Sequence, residues 1–221
     1  MSQMTLRDRL AEKLAPADGW RVETRAVRSD FDLNPGASRW SPGPLKPAAV
    51  LIPIIADPEG ARVLLTRRAD SLAKHTGQVA FPGGRLDPGE TAVDAALREA
   101  REEVDLDPAA VTVLGLSDAY ETGTGYLVTP VIGWIDALPP LIASPDEVAE
   151  IFQAPWDFLM DPVNHSRDHL EAPAGVKRWF WAMTWNEQYI WGATAGIIRG
   201  LRARLYGDEP NLPASAAEDA A

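Results

Sequence analysis

FPGGRLDPGETAVDAALREAREEVDL, Phe81 to Leu106, decides how the rest of the chain is read. It opens on a Pro-Gly-Gly turn, crosses a short polar loop and predicts a helix from Thr91 to Val104, because no Gly or Pro follows the turn-forming Pro88-Gly89 pair. Val93, Ala96, Leu97, Ala100 and Val104 recur at helical spacing and form one apolar stripe. Glu99, Glu102 and Glu103 stand at i, i+3 and i+4, which predicts carboxylates on one helical face, away from that stripe. Each like-charged pair costs a helix roughly 0.2–0.5 kcal/mol, and Arg98 and Arg101 offset part of it. Two readings follow. One is a solvated acidic face; the other is a divalent-metal site, since hard cations take oxygen ligands.

The intervals around the helix separate the two. Gly84 is followed by five residues and Glu90, then by seven residues and the pair Arg98-Glu99, then by Glu102-Glu103. This resembles the signature of the Nudix hydrolases: a Gly, a Glu, an Arg-Glu and a Glu-Glu at fixed intervals before a closing Gly and an aliphatic residue. Asp105 stands where the closing Gly is expected, Leu106 takes the aliphatic place, and Ala100 is small for its position. A left-handed turn at the helix exit is easiest for Gly, and Asp tolerates it better than most residues.

The 221 residues suit one domain with extensions or two small ones, and a 46% hydrophobic content supports a sizeable core. With no Cys there is no disulfide framework or thiol chemistry, in keeping with a cytoplasmic setting. A net charge of −11 argues against a nucleic-acid surface and means an anionic substrate needs metal ions or a local basic patch. The charged N-terminus lacks a signal-peptide core, and no apolar run is long enough to span a bilayer, so no membrane partner is expected.

Along the chain, Met4 to Leu14 predicts a short amphipathic helix, and residues 1–45 read as an N-terminal extension that wraps the domain spanning 46–206. Ala48–Ala56 and Arg62–Thr66 predict two strands joined by a turn at Asp57–Gly60, with Pro53 pointing to an edge or a bulge. Further strands are expected at Val111–Leu116, Tyr126–Ile135 and Lys177–Trp185. A helix is expected at Tyr189–Leu205, with Gly192, Gly196 and Gly200 as a stripe for close approach. His165 and His169 fall in an expected loop, with a solvated or structural role. Trp179, Trp181 and Trp185 favour sheet packing over stacking on a base. The tail 207–221 is Pro, Ala and acid, a composition of disorder.

A narrower resemblance runs through LLTRRADSLAKHTGQVAFPGG, residues 64–84, which is similar to the extension marking coenzyme A pyrophosphatases among the Nudix hydrolases. Leu64, Leu65, Thr66, Arg68, Ala69, Gly77 and Phe81 to Gly84 match; Ala73 replaces a second Arg, with Lys74 beside it. The segments around Val128-Thr129-Pro130-Val131, Pro145 to Glu150 and Ile190 to Gly196 resemble the same subgroup.

These resemblances imply an α/β fold, a Nudix-type α/β/α sandwich with a mixed β-sheet. They imply Mg²⁺- or Mn²⁺-dependent hydrolysis of the diphosphate linkage of coenzyme A or its thioesters, giving 3′,5′-ADP and 4′-phosphopantetheine or its acyl form. Glu99, Glu102 and Glu103, with the Gly83 carbonyl, would hold the metal; Glu102, Glu90 and Arg98 would be catalytic. Arg68, Lys74, His75 and Gly84 would meet the substrate. Glu102 is the first choice of general base, with Glu121, Glu147 and Glu150 as later candidates. Two other readings stay open: another nucleoside diphosphate derivative as substrate (a nucleotide sugar, a dinucleoside polyphosphate or a triphosphate), or a non-catalytic Nudix-fold binding module. A homodimer is compatible with the extension and the Gly-lined helix.

Overall fold

The computed structural model describes residues 4–21, 27–37, 39, 43–69, 77–172 and 175–207. In chain order the elements are α1 (Leu6–Lys13), β1 (Arg28–Ser29), β2 (Lys46–Ile55), β3 (Arg62–Arg68), β4 (Val79–Ala80), β5 (Gly83–Arg85), α2 (Ala92–Val104), β6 (Thr112–Leu116), β7 (Tyr120–Glu121) and β8 (Tyr126–Ile135). Then follow β9 (Val148–Pro155), α3 (Trp156–Met160), β10 (Ser166–Ala172), β11 (Val176–Trp185), β12 (Gln188–Trp191) and α4 (Ala193–Tyr206).

β2 shows why the layers form. Its residues are apolar on both faces, the pattern of a strand covered from both sides. Ala48, Ile52 and Ile54 pack into one core with α1, α3, α4 and β11, through Leu10, Leu14, Leu159, Met183, Ile197 and Leu201. Ala49, Leu51 and Ile55 pack into a second core with α2, through Ala92, Ala95, Ala96, Ala100 and Val104. Period-two alternation thus sends neighbours into opposite layers. The result is an α/β/α sandwich: a mixed sheet with α2 on one face and α1, α3 and α4 on the other. Burying one such Leu or Ile side chain contributes about 1.5–3 kcal/mol.

The main sheet runs β1-β7-β8-β2-β3-β4, with β5 paired to β2, β6 to β8 and β9 to β3. β2 and β8 are parallel over their whole length, Lys46 opposite Tyr126 through Ile55 opposite Ile135. The other edge of β2 is shared. β5 pairs antiparallel at Ala48–Val50 and β3 at Ile54–Ile55. Pro53 lies in the gap between those partners. The Leu51 amide on that edge donates to the Pro82 carbonyl at 2.8 Å, and the amide two residues on would point the same way. The missing N–H of Pro53 therefore removes no ladder bond, and the strand is interior, not an edge.

A smaller antiparallel sheet, β10-β11-β12, accounts for two departures from the sequence expectations. His165 is buried beside the start of β10 and His169 lies within it, so this is not a free loop. The helix expected from Tyr189 begins only at Ala193: Gln188–Trp191 pairs with β11, and Gly192 at φ 62, ψ −134 turns the chain into α4. Of the glycine stripe, Gly196 makes the close approach, since a Cβ there would collide with the Tyr120 ring; around Gly192 the space is open. Trp179, Trp181 and Trp185 are packing residues, against His169, Arg199 and Phe158 respectively.

The described part of the N-terminal segment is built into this frame. β1 pairs parallel with β7, Ala15 bridges Leu116, and Asn34 bonds both the amide and the carbonyl of Trp179 at 2.8 Å. The tail expectation for 207–221 lies outside the described residues apart from Gly207.

Candidate active site

α2 is fixed at both ends by its own sequence. Thr91 is the N-cap: its hydroxyl accepts from the Asp94 amide at 3.2 Å, and Asp94 accepts from the Thr91 amide at 3.0 Å, a reciprocal capping box. At the other end Asp105 adopts φ 56, ψ 30, the left-handed exit expected there, and its carboxylate meets Arg101 at 3.1 Å.

The turn before the helix sits against its carboxylates. Gly84 has its side-chain position filled by Glu99, so any Cβ would collide with that carboxylate. Gly83 lies against the β2 backbone, where a Cβ would come within 2.7 Å of Val50 Cα. Its backbone also hydrogen-bonds the Glu103 carboxylate. Gly83 is therefore demanded by space, and a side chain at Gly84 would displace the Glu99 carboxylate.

Arg98 organises the acidic groups. Its Nε and Nη2 donate to the two oxygens of Glu90 at 2.8 and 3.1 Å. Nη1 reaches Glu99 at 2.9 Å and Glu102 at 3.2 Å, and Nη2 also reaches the Arg85 carbonyl at 3.0 Å. Glu90 accepts in addition from the Asp87 amide, and these bonds, Arg98 first, hold its carboxyl below the usual range.

The glutamates do not share one exposed face. Glu102 is 57% exposed, whereas Glu103 is buried at 4%. The loop before β9 docks on the same turn: the Ser144 amide donates to the Glu103 carbonyl at 2.8 Å and Ile142 to the Val104 carbonyl at 3.0 Å. Desolvation pushes the Glu103 carboxyl up to about 8, with repulsion from Glu99 and Glu147 added and attraction from Arg68 opposing. Glu99 is raised as well, first by burial, with Glu102 and Glu147 adding to it. Two desolvated, mutually repelling carboxylates are a donor set whose ionised form a hard cation would stabilise. Among the described residues, however, no three acidic or His side chains converge on one metal position; Arg98 holds Glu102 to one side.

The remaining predicted residues divide. Arg68 is brought to the site: its charge acts on Glu103, and its Nε is buried without a hydrogen-bond partner. Lys74 and His75, with Ala73, lie outside the described residues. Of the later carboxylates, Glu121 is paired with Arg39 at 2.8 Å, and Glu150 with Arg67 at 3.3 Å and Gln188 at 3.0 Å. Glu147 alone of those three acts on Glu99 and Glu103. Its spacing from α2 along the chain gave no sign of this. A cavity of about 370 Å³ lies elsewhere, lined by Leu6, Arg9, Trp134, Trp156 and Tyr206 among others, and includes none of these carboxylates.

A mixed-sheet sandwich with a glycine turn pressed on a carboxylate helix defines a class, and comparison with known proteins agrees. The family described as the NUDIX domain matches residues 45–179. A protein of Escherichia coli O7:K1, described as uncharacterized Nudix hydrolase NudL, is 46% identical over 167 residues, 72% of this chain and 82% of its own. Its namesake from Yersinia pestis is 46% identical over 161 residues, 72% and 79% of the two chains. Among solved structures, the Nudix hydrolase RenU of Mycobacterium smegmatis (described as from M. Smegmatis) is 29% identical, with a TM-score of 0.44 over 51% of this chain and 72% of its own. The chain belongs to the Nudix hydrolase family. It is thereby an enzyme acting on nucleoside diphosphate derivatives, in a family that generally uses divalent metal ions. Among the described residues no helix is long and apolar enough to cross a membrane.

Proposed function

We propose that this enzyme hydrolyses the diphosphate linkage of coenzyme A or its thioesters, with Mg²⁺ or Mn²⁺, to 3′,5′-ADP and 4′-phosphopantetheine or its acyl form. The observation that carries the chemistry is the buried Glu103 beside Glu99 at the Gly83-Gly84 turn. The coenzyme A assignment is supported by the pattern at Leu64 to Gly84.

In this reading Glu99, Glu102 and Glu103, with the Gly83 carbonyl, would hold the divalent ions. Bound there, such ions would neutralise the diphosphate and make the attacking water more acidic. Glu102, the most exposed of the three, is tied to Arg98 by one 3.2 Å bond and would exchange it for the metal. Arg98, kept protonated by its carboxylate partners, orients Glu90 and Glu99. Gly84 lets the backbone approach the substrate closely. Arg68, whose charge acts on Glu103, would meet a phosphate oxygen, as would Lys74 and His75. Glu102 takes the proton of the attacking water; Glu147, whose charge acts on Glu99 and Glu103, is the second candidate for that role.

The test is turnover of coenzyme A with and without Mg²⁺ or Mn²⁺, beside ADP-ribose and a dinucleoside polyphosphate. Metal-dependent release of 3′,5′-ADP and phosphopantetheine is expected. Turnover of only the comparison substrates would overturn the coenzyme A assignment, and full activity in Glu102→Gln would overturn the assignment of the site.

A further inference from the structure

On the sheet face opposite α2, two cations crowd one tyrosine. Lys46, Ala48 and Tyr126 share that face: Lys46 pairs with Tyr126 and Ala48 with Arg85 across the two edges of β2. Because Ala48 is small, Arg85 reaches over it and donates to the Tyr126 hydroxyl from Nε at 3.1 Å and Nη2 at 2.7 Å. The Arg85 guanidinium lies 5.4 Å and the Lys46 ammonium 5.8 Å from the Tyr126 ring centre. Among the described residues neither cation has a carboxylate partner. Glu121, opposite Leu127 in the neighbouring ladder, is already paired with Arg39. In a chain of net charge −11, two like charges this close are held without neutralisation.

Their position matters as much as their charge. β5 separates them from the carboxylates by the thickness of one strand. Gly84 faces Glu99, the next side chain, Arg85, faces the other way, and the Arg85 carbonyl is bonded to Arg98. A substrate whose diphosphate lies at the α2 carboxylates can bend over the Gly83–Arg85 strand and present a further group to Lys46 and Arg85. A planar fork beside a point charge is a recognition set for a phosphomonoester.

We propose that Lys46 and Arg85, braced on Tyr126, form the subsite for a second phosphate of the substrate, the ribose 3′-phosphomonoester of an adenosine 3′,5′-bisphosphate unit. This deepens the coenzyme A reading and rests on it for the identity of the substrate. It makes the enzyme a reader of the 3′-phosphate and not only of the scissile linkage.

The experiment has two arms on the full chain, with Lys46→Ala, Arg85→Gln and the double variant; both side chains are exposed, and unchanged thermal melting verifies the fold. The first arm compares kcat/KM for coenzyme A and for dephospho-coenzyme A. Wild type should favour coenzyme A, and the double variant should lose about tenfold or more of that preference, through KM. The second arm measures binding of 3′,5′-ADP and of AMP by calorimetry, which needs no turnover. Tighter binding of the bisphosphate by wild type, lost in the double variant, is expected. Equal binding of the two nucleotides by wild type, or equal weakening of both in the variants, would overturn the subsite. Absence of coenzyme A turnover in wild type would overturn the substrate reading, and the calorimetry would still judge the subsite.

Discussion

Arg98 places one guanidinium against five oxygens, two of Glu90, one each of Glu99 and Glu102, and the Arg85 carbonyl. Only a planar fork does this, and Lys offers a single ammonium. Arg98→Lys should therefore lower kcat by about 10- to 100-fold while the fold stays intact, read by steady-state kinetics across a Mn²⁺ titration. A second contrast belongs to the acidic side chains. Glu102→Gln should lower turnover by about 100-fold or more, whereas Glu150→Gln, which removes only the contacts to Arg67 and Gln188, should change it little. His165 carries a pH effect of its own. Burial holds the imidazole below its ordinary range, neutral, with Nε2 on the Leu159 carbonyl at 2.7 Å. The unfolded chain takes up that proton more readily, so the stability tied to His165 is present above the unfolded value of about 6.5 and is lost as pH falls below it. Melting temperature should drop between about pH 7 and about pH 5, and less steeply in His165→Gln.

At the level of elements, α2 was the most legible part of the chain. Its start followed from Thr91 and the Pro88-Gly89 turn, Ala96, Ala100 and Val104 of its buried stripe from period 3.6, and its exit from Asp105; Val93 and Leu97 are only partly buried, and Ala92 and Ala95 enter the core beside them. Asp105→Gly should stabilise by about 0.5–1 kcal/mol, since φ 56 strains a side chain and the exposed bond to Arg101 is worth little; denaturant melts would measure it. The burial of Glu103 was not legible, because it depends on Ile142 and Ser144 docking on the last turn of α2, and periodicity within a helix says nothing of a loop from elsewhere. Glu147 was a candidate beside Glu121 and Glu150, but nothing in the sequence set it apart from them, for the same reason. β12 was misread because Ile190, Thr194, Ile197 and Ile198 keep helical spacing straight through a strand; the positive φ of Gly192 is what separates strand from helix. Pro53 suggested an edge, and the suggestion fails only because β5 and β3 divide one side of β2 between them.

Over the whole molecule, the two cores lie on opposite faces of one sheet, and the first helix belongs to one of them. Leu10 is fully buried against that core, so Leu10→Ala should cost about 2–5 kcal/mol, as large a penalty as a change in the sheet itself. Chemical denaturation would show it as a lower midpoint with activity at low temperature retained. The sheet covered on both faces was implied by the resemblance to the Nudix hydrolases, but the route of the N-terminal segment was not legible, because its anchors are single residues: Asn34 on Trp179, and Lys13 on the last helix. That last contact sets a timetable for biosynthesis. The Lys13 carbonyl accepts from Arg204 Nε at 2.7 Å, so residues 191 positions apart meet to close the structure. During synthesis α1 emerges well before α4, and its apolar side stays uncovered until α4 has been made and docks. The half-made chain is thus exposed to chaperones and to aggregation over that interval.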